Sequence, residues 1–225
     1  NTDYAALFLG DYATLSMENC QIIGSGYYGI FLDNDTKLTK YENNIISGCE
    51  NAPMYLSNFG QCAPLNGTSS YSDNAKKYIR IEDYTYIRND LTINELDVPY
   101  LTKGVYVANA DIIINPGVQI ISEYDGIFSI DNESKITAIG TSSKPITFTA
   151  EEKEPGQWKG VEILSTLNNS LAYVTIEYGG LSDSQNLYLW YGKVNLNNVT
   201  IRNSSNWGVN YNSESTITHS GVIFA

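Results

Sequence analysis

The sequence predicts an all-β solenoid, in which one chain coils through short strands, and three observations support this prediction. Short apolar alternations recur along the chain, and each is too short for a helix. Asn, Gly, Asp and Ser occupy the corners between them in a repeating order. A stretch near the start returns near the end. With three strands per circuit of roughly 20 to 25 residues, the chain would form roughly ten coils.

The repeated stretch covers residues 12–39, which align without gaps on residues 191–218. Most aligned positions keep their apolar or polar character, and such self-similarity is typical of a repeat architecture. We interpret the two stretches as the same pair of coils in two successive long repeats. The identical pairs are Tyr12/Tyr191, Asn19/Asn198, Ile22/Ile201, Ser25/Ser204, Gly29/Gly208 and Thr39/Thr218.

We expect one domain over residues 1–225, with four parts of different regularity. Residues 1–50 form coils of one long repeat, and residues 51–97 form irregular coils. Residues 98–185 are strongly regular, and residues 186–225 begin the next long repeat. A coil left uncovered exposes strand edges and apolar core. We therefore expect a segment of a longer protein, with neighbouring repeats or an oligomer contact at the coil ends.

Asparagines that stand before strands predict an internal ladder made of Asn19, Asn44 and Asn198. An Asn at a bend accepts left-handed backbone angles and hydrogen-bonds neighbouring peptides. Stacked one above another, these side chains would form an amide ladder inside the coils. The alternative at Asn198 is glycosylation of the NVT sequence, which would require an outward side chain.

The composition excludes some classes of partner. Twenty-five acidic and 13 basic residues give a net charge of −12, which argues against binding to nucleic acid and to anionic lipid. The sequence has no run of about 18 apolar residues, so we expect no membrane insertion. Among the three cysteines, Cys49 and Cys62 could pair across one loop, and Cys20 is predicted to be a small core residue.

Residues 115–180 contain, in order, NPG, KITAIGT, KPITFT, WKGVEI and VTIEYGG. This order resembles a repeat of secreted or cell-surface bacterial proteins with a right-handed parallel β-helix. Residues 12–47 resemble the coils that usually follow it. The resemblance implies a right-handed single-stranded parallel β-helix and an extracellular or cell-surface location. It is specific for the fold and not for function, because the shared corner and core positions serve the scaffold.

Many proteins of this fold cut acidic polysaccharides, so a polysaccharide lyase or glycosidase is the alternative function. A lyase would need calcium-binding carboxylates and a nearby Arg or Lys; Asp33, Asp35 and Glu42 could collect near one bend and make calcium a weak possibility. The chain has no Asp-Asp pair and no Gly-His-Gly. His219 is the only histidine, which excludes a Ser-His-Asp arrangement and a histidine-rich zinc site. We predict no catalytic residue, no metal and no cofactor.

Aromatic residues on the strands suggest a binding surface, since the chain has 18 Tyr and three Trp. Rings on a flat sheet can stack on sugars, and Arg can pair with carboxylate or sulfate groups. The alternative interpretation is that Tyr occupies the strands without binding a ligand, because it is a good strand former. The first candidate patch is Tyr78, Arg80, Tyr86 and Arg88, and the second is Trp158, Trp190 and Trp207. We predict a non-catalytic extracellular scaffold for adhesion, whose partner is a polysaccharide or another surface protein.

Overall fold

The computed structural model describes residues 5–131 and 133–225, which form two compact units. Unit 1 contains residues up to 82 together with 94–101, and unit 2 contains 83–93 and the chain from 102 onward. The strands pair in parallel, and the described residues make about nine coils. The prediction of an all-β parallel β-helix is confirmed. The single domain over residues 1–225 stays a prediction.

Unit 1 is built from short parallel strands in three separate ladders. β1 pairs with β4, β4 with β7 and β7 with β8, while β2 pairs with β5 and β3 with β6. A single 3-10 turn, Phe59–Cys62, lies in the irregular part of this unit. The strands are β1 Ala5–Leu9, β2 Thr14–Glu18, β3 Gln21–Ile23, β4 Tyr28–Leu32, β5 Lys37–Glu42, β6 Ile45–Ser47, β7 Met54–Leu56 and β8 Ile79–Ile81.

Unit 2 holds the more regular coils. The strands are β9 Thr85–Ile87, β10 Leu91–Ile93, β11 Tyr100–Val107, β12 Asp111–Ile114, β13 Gln119–Ile130, β14 Lys135–Ile139, β15 Ile146–Ala150, β16 Val161–Ile163, β17 Asn169–Ala172, β18 Val174–Glu177, β19 Leu187–Leu189, β20 Lys193–Asn197, β21 Thr200–Arg202, β22 Val209–Tyr211, β23 Thr216–Ser220 and β24 Ile223–Phe224. The first two residues of β11 belong to unit 1. One ladder runs β10, β12, β14, β17, β20, β23.

Two further ladders of unit 2 diverge at the long strand β13, whose two halves pair with different strands. Its first half, at Gln119–Ser122, pairs with β15, and β18, β21 and β24 follow. Its second half, at Phe128–Ile130, pairs with β16, and β19 and β22 follow. We call this last ladder, from the second half of β13 to β22, the pocket sheet.

The strands follow the alternation of the sequence. In β16, Val161 and Ile163 are buried while Glu162 between them is half-buried, and in β19 Leu187 and Leu189 are buried on either side of Tyr188. Side chains of successive strand residues point to opposite faces, so the apolar residues fill the core of the coil. Glu162 and Tyr188 therefore lie on the outer face of the pocket sheet.

The corner asparagines divide into two kinds. Asn19 and Asn198 are exposed and have left-handed φ angles of 54° and 52°, a conformation that Asn accepts more readily than most residues. Asn44 is buried; its side chain accepts from the Cys20 N–H at 3.0 Å and donates to the Met17 carbonyl at 2.9 Å. The proposed ladder is corrected accordingly: Asn44 ties one coil to the previous one, and the two exposed asparagines do not join it.

The aligned stretches carry strands at matching places. β20 and β21 begin and end at the positions that align with β2 and β3, and β22, β23 and β24 overlap the positions that align with β4, β5 and β6. The similarity of the two stretches is therefore a similarity of core and corner positions, as expected for a repeat.

The structure places two side chains, Trp158 and Cys20, differently from the sequence-based prediction. Trp158 is only 2% exposed, so it is a core residue and does not belong to a surface patch. Cys20 is exposed although it aligns with the buried Val199. The cysteines all lie in the described ranges and are free thiols, and burial raises the pKa of Cys49 and Cys62. Among the residues that the structure describes, no helix has the length and apolar character to cross a membrane.

Candidate functional site

The outer face of the pocket sheet brings together polar and aromatic side chains from successive coils. Ser129 on β13, Glu162 on β16, Tyr188 on β19 and Asn210 on β22 are register neighbours, each one coil from the next. Parallel strands stack at about 4.8 Å, so these side chains form one row along the coil axis. The row contains a hydroxyl, a carboxylate, a phenol and an amide.

A pocket of about 250 Å³ opens beside this row. One wall is the pocket sheet, and the other is segment 182–185, which begins within the 3-10 turn Leu181–Asp183. Ser205 donates to the carbonyl of Gly180, just before the turn, at 2.8 Å, and the Gln185 amide donates to the Asp183 carbonyl within the segment. The lining residues are Ile127, Lys159, Glu162, Ser182, Asp183, Ser184, Gln185, Tyr188 and Asn210.

Hydrogen bonds fix the charged groups of the pocket. The Ser129 hydroxyl donates to Glu162 Oε2 at 2.9 Å. Lys159 Nζ lies 3.0 Å from Asp125 Oδ1, and the bond to Asp125 raises the pKa of Lys159. Burial, and then the Glu162 carboxylate, raise the pKa of Tyr188. The carboxylate is thus close enough to Tyr188 for both to face one ligand.

Trp190 extends the pocket with an exposed aromatic surface. Its ring lies 6.4 Å from that of Tyr188 at an interplanar angle of 30°, and Tyr191 meets it edge-on at 5.4 Å. The side chain is 47% exposed. An edge-on neighbour and an offset one leave part of the indole face open to solvent, where a flat apolar group can stack.

The predicted patch of Tyr78, Arg80, Tyr86 and Arg88 is divided between the two units. Tyr78 and Arg80 are half-buried residues of unit 1, and Tyr86 and Arg88 are exposed residues of unit 2. The Arg88 guanidinium lies 4.9 Å from the Tyr86 ring centroid, and the Tyr106 ring stacks on Tyr86 at 5.2 Å. The Tyr86 ring thus already has two neighbours, although its side chain is 52% exposed. The edge and hydroxyl of Tyr86 remain accessible.

Electrostatic effects connect this tyrosine cluster with the pocket. Burial raises the pKa of Tyr106, Lys159 lowers it, and Tyr86 and Glu162 raise it further. Since such effects fall off with distance, Tyr86 and Tyr106 lie close to Lys159 and Glu162. The outer face of unit 2 therefore continues from Tyr86 to the pocket.

Unit 1 carries an aromatic ladder that the sequence did not reveal. Phe8, Phe31 and Tyr55 occupy one register position on β1, β4 and β7. Their rings stack at 5.4 Å and 4.5 Å, and Arg80 follows at the same position on β8. Phe31, the middle ring, stacks with both Phe8 and Tyr55, so the ladder stabilises the stacking of the coils. Only the alignment of successive coils could have identified it.

The third predicted tryptophan lies at a different cavity. Trp207 is 63% exposed and lines a cavity of about 740 Å³ beside the last strands of unit 2. Its other walls include Leu196, Val209 and Ile217, whose counterparts in inner coils form the core. This cavity is larger than the pocket, and its described lining contains Tyr211, Ser215, Thr216 and His219 but no carboxylate and no Lys or Arg.

The described residues contain no group of three or more His, Cys, Asp or Glu side chains placed to hold a metal ion. Asp33, Asp35 and Glu42, which the sequence suggested for calcium, accordingly form no such group. The carboxylates of the pocket, Glu162 and Asp183, are available for hydrogen bonding.

Comparison with protein families supports the fold. Residues 85–189, a little under half of the chain, match the family model described as "Pectate-lyase like beta helix domain". The matched residues include Tyr86, Lys159, Glu162 and Tyr188. Comparison with curated proteins and with solved structures gave no match. The chain is thus a parallel β-helix repeat protein, and its function has to be inferred from the pocket.

Proposed function

We propose that the pocket sheet of unit 2 binds a glycan chain and does not cleave it. The observation that supports this proposal is a pocket lined by the half-buried Tyr188 ring and the polar groups of Glu162, Lys159 and Asn210, with the exposed Trp190 ring stacked beside Tyr188. Glycan binding on a long scaffold suits adhesion at an extracellular surface or a cell surface. The partner is a polysaccharide, and another surface protein is the alternative partner.

The chemistry of the pocket suits sugar rings. A carboxylate and an amide carbonyl accept hydrogen bonds from the hydroxyl groups of a sugar. Amide and ammonium N–H groups donate hydrogen bonds to the same hydroxyl groups. The apolar C–H face of a pyranose can stack on Trp190 in the way that other apolar groups pack on indole. Because the row of side chains runs along the coil axis, a linear chain could contact several coils.

Replacement of Trp190 by alanine is expected to weaken glycan binding about tenfold, the effect of removing an aromatic anchor from an interface. The measurement is affinity electrophoresis or calorimetry with a panel of β-glucan, xylan, galactan and polygalacturonate. Trp207→Ala is the matched control, since it removes another exposed tryptophan of unit 2, which lies at the other cavity.

The control variant should bind like the unchanged protein. Equal binding by Trp190→Ala and the unchanged protein would place the ligand elsewhere. A loss with Trp207→Ala alone would move the site to the last coil. A panel without any bound glycan would reject the proposal as a whole.

A polysaccharide lyase or glycosidase is the second candidate, and one observation favours it: the carboxylates of Glu162 and Asp183 and the amine of Lys159 line the same pocket. Such groups can act as general acid and base. Under our proposal, incubation with the same glycans releases no new reducing ends and no unsaturated sugars. Product formation that disappears with Glu162→Gln would establish the enzyme instead.

A further inference from the structure

The charges of the pocket bear on which glycans it accepts, an inference that rests on the function proposed above. Among the described residues that line the pocket, those that carry a charge at neutral pH are Glu162, Asp183 and Lys159. Lys159 is already paired with the Asp125 carboxylate, at 3.0 Å. Together Lys159 and Asp125 carry no net charge, so the pair adds no net attraction for a second anion to the pocket. Glu162 and Asp183 are therefore the uncompensated charges that face a ligand.

The two carboxylates lie on opposite walls. Glu162 projects from β16 and is oriented by the Ser129 hydroxyl, while Asp183 is the last residue of the 3-10 turn and is exposed. A uronate group between these walls would face like charges on both sides. Like charges a few ångströms apart repel, and partial burial strengthens the repulsion.

The cations of the neighbouring tyrosine cluster do not compensate for this charge. The Arg88 guanidinium lies against the Tyr86 ring, and Lys103 Nζ lies 5.5 Å from the Tyr84 ring centroid. Neither residue lines the pocket. Arg88 could attract an anionic group at the Tyr86 end, but the pocket itself stays acidic.

We infer that the pocket selects a neutral glycan and rejects a polyuronate, because Glu162 and Asp183 face the ligand while the only cation lining the pocket is already paired. The hydroxyl groups of a neutral sugar can donate to both carboxylates. Glu162 and Asp183 thus determine specificity through hydrogen bonds that a carboxylated sugar cannot make without repulsion.

The test uses a pair of ligands that differ at their primary hydroxyl groups. One is whichever of β-glucan and galactan binds better, since both consist of hexoses; the other is the same glycan with its primary hydroxyl groups oxidised to carboxylates. We expect oxidation to weaken binding about fivefold or more at low salt. Added salt should reduce the difference, since it screens the repulsion.

The variants Glu162→Gln and Asp183→Asn identify the charges responsible. The readout is the ratio of the two affinities, which is independent of any general loss of binding. The ratio should fall in each variant and approach one in the double variant. The same ratio in all proteins would show that oxidation acts by shape and would overturn the inference.

Two further outcomes separate this inference from the proposed function. Tighter binding of polygalacturonate than of every neutral glycan would overturn the selection for neutral ligands while leaving glycan binding in place. Failure of all the glycans to bind would reject the proposed function, and the selection would fall with it.

Discussion

Replacement of Trp158 by alanine is expected to lower the free energy of unfolding by about 3–5 kcal/mol, as for other buried tryptophans. The side chain is 2% exposed, and its indole N–H donates to the Glu177 backbone carbonyl at 2.8 Å. Alanine would leave a cavity and remove the donor from a buried carbonyl. Trp158→Phe keeps most of the volume and should lose about 1–3 kcal/mol, the cost of an unsatisfied buried group.

Urea unfolding followed by far-ultraviolet circular dichroism measures both effects. Because the coils of a solenoid can unfold in parts, urea can produce more than one unfolding transition. The variants are compared by the shift in the urea midpoint of the transition in which unit 2 unfolds. Trp190→Ala is the matched control: its side chain is 47% exposed, and we expect a change below about 0.5 kcal/mol. Equal effects of the two alanine variants would contradict the assignment of Trp158 to the core.

Replacement of Gly160 by alanine is expected to destabilise the protein by about 2–4 kcal/mol. Gly160 has a φ of +99°, which L-residues rarely adopt. A Cβ at this position would lie 2.0 Å from the Gln185 carbonyl oxygen and 2.7 Å from that of Asn186. These are backbone atoms of the next coil, so relief of the overlap requires the coils to separate.

The same unfolding measurement tests this prediction. Gly26→Ala is the control, because no heavy atom lies within 4 Å of the Cβ it would create and its φ is not in the left-handed region. The control should change stability by less than about 0.5 kcal/mol. A Gly160→Ala protein as stable as the Gly26→Ala protein would mean that the coils are less tightly stacked here than the structure shows.

The sequence predicted the strands well because burial in a coil follows local alternation. The segments around Glu162 and Tyr188 each place an outward residue between two apolar ones, and this pattern is visible in the chain itself. The sequence also identified the asparagines at the corners, but it did not show whether each side chain points into the coil or to solvent. Asn44 is buried because it bonds to the previous coil, whereas Asn19 stands at a left-handed corner.

The pocket could not be predicted from the sequence, since it depends on which residues of successive coils come into register. Tyr188 neighbours Glu162, and Asn210 neighbours Tyr188, only after loops of unequal length have been accommodated. The burial of Trp158 has the same origin, because its hydrogen-bond acceptor, Glu177, lies in the following coil. The register between successive coils, and not local propensity, therefore determines both the pocket and the burial of Trp158.

The shared motifs of the β-helix say little about ligand binding, and the residues between them say more. In WKGVEI, Trp158 and Gly160 serve the packing, while Lys159 and Glu162 line the pocket. One short stretch thus contains both the scaffold and the proposed specificity. Variants at Trp158 and Gly160 should accordingly affect stability, and variants at Lys159 and Glu162 should affect binding.

A crystal structure of the protein with a bound neutral oligosaccharide tests the proposed site most directly. We expect a sugar ring against Trp190 and Tyr188, with its hydroxyl groups within hydrogen-bond distance of Glu162 and Asn210. An oligosaccharide bound instead along the Phe8, Phe31 and Tyr55 ladder, or in the cavity beside Trp207, with the pocket empty, would contradict the proposal that this pocket is the binding site.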